Sequence, residues 1–161
     1  MISFDAAHHR FNFRAAAVIV HDGSVLLHRI EGDPFWSLPG GRVEPGESAA
    51  EAVVRELQEE LAVQVNVERL LWVVENFFTH GHKRQHELGL YFLAKPAAGS
   101  ALLSSRGPYV GHEGHVALKF SWFERSRLHE VDVRPSFLIR ALGQAELSFE
   151  HVVERPGANA P

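Results

Sequence analysis

Two short apolar runs, residues 15–20 and 25–28, flank His21-Asp22-Gly23-Ser24. An Asp-Gly step between apolar runs predicts a β-hairpin. Ahead of them, residues 1–12 are polar, histidine-rich and without a period, and read as an arm or a weak first strand. From 31 to 46 glycine and proline recur (Pro34, Pro39, Gly40, Gly41, Pro45, Gly46), which predicts a shaped loop. Residues 48–61 contain neither and are rich in Ala, Glu, Leu and Val, so they form the clearest helix. Residues 63–78 and 87–94 are β-rich and joined by a polar segment, 79–86, which predicts a second, longer hairpin. The Gly/Pro/Ser-interrupted stretch 95–114 has the length of a functional loop. Val116, Leu118, Phe120 and Trp122 alternate along a strand over 116–123. Arg134-Pro135 opens a shorter helix, 136–142, which Gly143 ends. A last short strand is expected over 147–153 and a flexible tail over 154–161. Strands around one long and one short helix give an α/β or α+β sandwich, as one domain over 1–161.

Composition narrows the function classes. The chain has 161 residues, and 45% apolar with 22% charged residues suits a globular domain with a real core. Sixteen Lys and Arg against twenty Asp and Glu leave a charge of −4, which argues against a broad grip on a nucleic acid polymer. The absence of cysteine excludes disulfides, thiol nucleophiles and Cys-ligated metals. The longest apolar run falls far short of the ~20 residues that span a bilayer. No basic-then-apolar leader opens the chain, so a cytoplasmic protein without membrane partners is expected.

The helix carries the chemistry. At about 100° per residue, Val53, Val54, Leu57 and Leu61 share one arc, which faces the core. Glu56, Glu59 and Glu60 share the neighbouring arc. A solvated face, with Glu51, Arg55 and Glu59 paired at i,i+4, is the plain explanation. It leaves Glu56 and Glu60 as like charges one turn apart without a basic partner. A divalent cation between them explains both, because hard cations take carboxylate oxygens. In front of the helix, Leu38-Pro39-Gly40-Gly41 turns where backbone can approach a ligand closely.

Gly41, five residues, Glu47, seven residues, then Arg55-Glu56-Leu57-Gln58-Glu59-Glu60-Leu61-Ala62-Val63 resembles the signature of the Nudix hydrolases (MutT-like). Every specified position matches except the last glycine, which is Ala62. The motif is confined to 41–63, and the order of elements resembles that family over about 13–153. The resemblance implies an α/β/α sandwich around a mixed β-sheet, with the motif as loop–helix–loop. It implies Mg²⁺, with Mn²⁺ as a substitute, on Glu56, Glu59, Glu60 and the Gly40 carbonyl. Glu47 and Arg55 would form a structural ion pair. The implied reaction is hydrolysis of the pyrophosphate bond in a nucleoside diphosphate linked to another group, with a small nucleotide as substrate; paired subunits are common in the family. The alternative is a catalytically weak nucleotide-binding or regulatory module. A glycine at position 62 would be a left-handed helix stop, where a Cβ costs roughly 1–2 kcal/mol.

The motif does not fix a catalytic base. Glu59 and Glu60 are joined as candidates by Glu113, in the flexible-looking Gly111-His112-Glu113-Gly114-His115, and by Glu87, at the start of a strand. Trp36, beside the glycine loop, and Arg14 are the expected substrate contacts, with Phe35, Trp72, Phe77 and Phe78 as further aromatics. His80, His82 and His86, and His112 with His115, lack a firm ligand spacing, so no zinc site is expected. ADP-ribose, dinucleoside polyphosphates, oxidised nucleoside triphosphates and nucleotide sugars all offer the same diphosphate, and the pattern does not choose among them.

Overall fold

The computed structural model describes residues 1–157. A six-stranded mixed sheet is built from β1 (Ser3–Ala6), β2 (His9–Val18), β5 (Gly40–Arg42), β6 (Val65–His80), β7 (Lys83–Pro96) and β10 (Glu150–Glu154). Its order is β1-β2-β7-β6-β10, with β5 also on β2. β2 runs parallel to β7 and β10 parallel to β6; the other pairs are antiparallel. A second, four-stranded antiparallel sheet follows the order β3 (Val20–His21), β4 (Ser24–Ile30), β9 (Val116–Glu124), β8 (Tyr109–Glu113). Helix α1 (Ala49–Leu61) shares a buried cluster with Ala15, Ala17 and Phe120. A 3-10 turn (Arg125–Glu130) and α3 (Phe137–Leu142) share the other cluster with Ala16, Trp72 and Leu27. Helical layers on both faces of a mixed sheet make the α/β/α sandwich. Among the described residues no helix is long and apolar enough to cross a membrane.

Several elements differ from the sequence expectation. Of the two readings of residues 1–12, an arm or a weak first strand, the strand holds: β1 pairs with the start of β2 in a regular antiparallel register, Ser3 to Asn12 and Phe4 to Phe11. The turn at Asp22-Gly23 forms as expected, both residues having positive φ. The apolar run before it, however, is divided at Ile19. Residues up to Val18 belong to the mixed sheet, and Val20 and His21 belong to the second. The Gly/Pro-rich loop contains β5, which takes the part of the β2 edge that β1 leaves free. The long connection 95–114 holds a short helix, α2 (Ala101–Ser104), and β8. The second hairpin turns at Gly81 and His82 alone, so its strands reach further than the polar segment suggested. In the expected tail Glu154 completes β10 and Arg155 lies over the Phe77 ring at 4.2 Å; residues 158–161 lie outside the described residues.

Helix α1 starts as its sequence dictates. Ser48 caps it, with Oγ accepting from the Glu51 amide and the Glu51 carboxylate accepting from the Ser48 amide. Val53 and Leu57 are fully buried, but Val54 is 38% exposed and Ala52 takes its place in the core. Ala62 ends the helix in the left-handed region, φ 56° and ψ 33°, a conformation that favours glycine.

Candidate active site

The site is assembled where the end of β5 meets the flank of α1. Arg55 organises it. Its Nε and Nη2 donate to the two oxygens of Glu47 at 2.8 and 3.1 Å, and Nη2 also donates to the Arg42 carbonyl. The Glu44 amide donates to Glu47 as well, so the loop before the helix is tied to the helix through one carboxylate. Nη1 of Arg55 donates to Glu56 at 2.8 Å and to Glu59 at 3.2 Å. The arginine fork holds the Glu47 carboxyl below the usual carboxylate range.

The three motif carboxylates differ in surroundings. Glu59 is 62% exposed, whereas the Glu56 side chain is 13% and Glu60 4% exposed. Burial raises the Glu56 carboxyl against the pull of Arg55. Burial, with Glu56, Glu113 and Glu59 nearby, pushes Glu60 up to about 8 despite the Arg14 charge. Gly41 makes room for this arrangement. A Cβ there would sit 2.2 Å from the Glu56 carboxyl carbon, so only glycine leaves that carboxylate its place. Gly40 is equally constrained, with φ 147° and the Ala15 carbonyl where a Cβ would stand. As they stand, no three His, Asp or Glu side chains among the described residues surround a common point, because Arg55 draws Glu56 and Glu59 to itself. The donor set is nonetheless all oxygen, crowded and partly desolvated, and Oε2 of Glu60 is buried without a partner. That chemistry fits a hard divalent cation.

A cleft of about 840 Å³ is lined by Arg14, Asn76, Glu87 and Tyr91 among others. Arg14 stands on its wall, with Nη2 donating to the Leu38 carbonyl, and its charge reaches Glu56, Glu60 and Glu87 alike. Glu87 lines the cleft opposite its cross-strand neighbour Asn76, its carboxyl raised by burial and held back by Arg14. Glu113 is not in a loose loop. It is the exposed last residue of β8, before the Gly114-His115 turn, and its charge is felt at Glu60.

Trp36 is not a cleft residue. Its amide donates to the Asp132 carbonyl and its own carbonyl accepts from Arg134, which turns the indole inward. There it packs on Phe123 at 4.7 Å beneath the Arg29 guanidinium, 7% exposed. The preceding side chain on an extended segment points the opposite way. Phe35 accordingly lines the cleft, with Arg134 stacked 4.7 Å over its ring and bound to Asp132. Phe77 and Arg155 make a second such stack at the cleft. The expected substrate contact at Trp36 is thus corrected: Trp36 is a core residue, and its neighbour Phe35 faces the cleft.

A family model for the NUDIX domain matches residues 11–139, most of the chain. The protein belongs to the Nudix family. An ADP-ribose pyrophosphatase of Methanocaldococcus jannaschii is 37% identical over 79 residues, 47% of this chain and 46% of that protein. The CTP pyrophosphohydrolase of Escherichia coli K12 is 45% identical over 56 residues, 32% of this chain and 42% of that one. The chain thus spans less than half the length of either relative. A crystal structure of a UDP-X diphosphatase superposes with a TM-score of 0.61 at 23% identity, covering 91% of this chain and 69% of that one. A MutT Nudix hydrolase from Burkholderia pseudomallei gives 0.52 at 26% identity, covering 84% and 98%. The Nudix motif of this chain, 41–63, is the segment that builds β5, the Glu47–Arg55 pair and the carboxylate flank.

Proposed function

We propose that this Nudix protein hydrolyses the phosphoanhydride bond of a nucleoside diphosphate derivative beside a divalent cation held by Glu56, Glu59, Glu60 and the Gly40 carbonyl. Magnesium is the expected ion and manganese its substitute. The observation that carries this reading is a partly desolvated carboxylate flank packed against Gly41, whose Glu56 and Glu60 feel the charge of Arg14, a residue that lines the cleft. When bound, such an ion neutralises the approaching phosphates and lowers the pKa of coordinated water. Glu59, exposed and held by one longer bond, is the carboxylate freest to leave Arg55 for it.

The other residues divide the work. Arg14 offers a guanidinium to the diphosphate on the carboxylate side of the cleft. Phe35 and Phe77, each covered by an arginine, offer edges and cations to a base or sugar. Glu113 takes the proton as water adds to phosphorus; the bridging P–O bond breaks and its electrons leave with the departing phosphate. Glu113 forms no ion pair among the described residues and lies close enough to Glu60 to alter its proton affinity, which suits that role. Glu87 shapes recognition inside the cleft.

The test is hydrolysis of a nucleotide panel with product identification by mass spectrometry, with and without Mg²⁺. Turnover is expected to vanish in EDTA and to drop at least about 100-fold in Glu59→Gln and Glu60→Gln. Activity that persists in EDTA or in both variants would overturn the reading. Glu113→Gln is expected to lose about 10²–10⁴ in kcat, and Glu87→Gln chiefly to raise KM.

A further inference from the structure

Glu60 leaves α1 toward β4 rather than toward solvent. Its Oε2 lies 3.7 Å from Nδ1 of His28, both side chains are nine-tenths or more buried, and neither atom has a hydrogen-bond partner. Enclosed side-chain polar atoms are nearly always bonded, so two of them facing each other across a gap call for a reason. The gap is too long for a direct bond. It is also too short for a bridging water, whose two legs would set the groups about 4.5 Å apart. A closure of less than an ångström satisfies both atoms at once and leaves Oε1 of Glu60 for the cation.

The ring is held for that purpose. The His28 backbone exchanges two hydrogen bonds with Ser37, both 2.9 Å, and the imidazole packs on Phe120 at 5.3 Å. Phe120 is itself fully buried, and a Cβ at Gly111 would press on both the Glu60 carbonyl and the Phe120 ring. A neutral imidazole carries one N–H, which can stand on Nδ1.

We infer that His28 is a positioning residue: its Nδ1–H bonds Oε2 of Glu60 and fixes that carboxylate with Oε1 turned to the cation. The inference rests on the cation site proposed above. A neutral donor suits this place better than arginine or lysine, because it orients the carboxylate without cancelling the charge that attracts the ion. Arg55 binds Glu56 and Glu59 through charge and competes with the ion; His28 does not compete for Glu60.

The experiment measures Mn²⁺ affinity without nucleotide, by electron paramagnetic resonance of the free ion, in wild type and in His28→Leu, His28→Asn and His28→Gln. Asparagine places its amide nitrogen where Nδ1 was, whereas glutamine places it nearer Nε2. His28→Leu is expected to weaken Mn²⁺ binding about 10-fold or more, His28→Asn to restore most of it and His28→Gln not to. Turnover should follow the same order through kcat, with the nucleotide KM little changed. If the leucine variant does not fold, the asparagine–glutamine contrast between two polar side chains carries the test. Wild-type affinity in His28→Leu, or equal affinity in the asparagine and glutamine variants, overturns the inference. So does spin-echo modulation from a nitrogen bound directly to Mn²⁺, which would make His28 a ligand. A wild type that binds no Mn²⁺ overturns the cation site itself, a separate result.

Discussion

Ala62 shows how much a single backbone conformation can matter. It ends α1 in the left-handed region, where its Cβ costs roughly 1–2 kcal/mol. Glycine would remove that strain and return about 0.4–1 kcal/mol as unfolded-state entropy. Ala62→Gly is therefore expected to stabilise the protein by about 0.5–1 kcal/mol, raising Tm by about 1–4 °C in calorimetry. Activity should be retained, since the carboxylates lie upstream. At this scale the helical period made Glu56, Glu59 and Glu60 legible in the sequence as one flank. Their different burial was not legible, because it depends on β4 and β8 closing over Glu60 while Glu59 stays outside. Trp36 was expected at the substrate and Phe35 lines the cleft instead, for a related reason. Two neighbouring aromatics on an extended segment must face opposite ways, and only the bonds to Asp132 and Arg134 decide which turns inward.

Two glycines show how elements, rather than residues, shape the site. At Gly41 the obstacle to a side chain is the far end of Glu56, which can move; at Gly111 it is the Glu60 backbone carbonyl, which cannot. Gly41→Ala is expected to fold with Tm nearly unchanged while losing at least about 10-fold in turnover, since it displaces a carboxylate. Gly111→Ala is expected to cost about 1–3 kcal/mol by forcing β8 away from α1, read from urea denaturation. The long hairpin was legible from two β-rich runs about a polar segment, and the main helix from a run of helix formers without Gly or Pro. β5 and β8 were not, for a strand among glycines is defined by its pairing partner: β5 by the vacant edge of β2, β8 by β9. The passage of the chain between sheets at Ile19 left no mark, because the apolar run continues on both sides of it.

For the whole molecule, the buried Glu60 and His28 set a pH dependence. Glu60, raised from 4.5 to about 8, holds an extra proton in the folded state and lowers stability as pH rises through that window. His28, lowered from 6.5 to about 3, lacks a proton that the unfolded chain binds and raises stability as pH rises through its own. The two slopes oppose each other between about 4.5 and 6.5, and above 6.5 Glu60 acts alone. Without divalent ions, Tm is expected to fall from pH 6.5 to 8, and millimolar Mn²⁺ should reverse the fall; a flat metal-free profile over that range would contradict the assignment.

The fork of Arg55 across Glu47, Glu56 and Glu59 has one more consequence. A site whose negative charges are already answered from within does not simply gain an ion; it trades one counter-charge for another. The strength of ion capture is then a difference between two pairings. Weakening the guanidinium's hold would tighten the grip on metal while loosening the loop that leads to it.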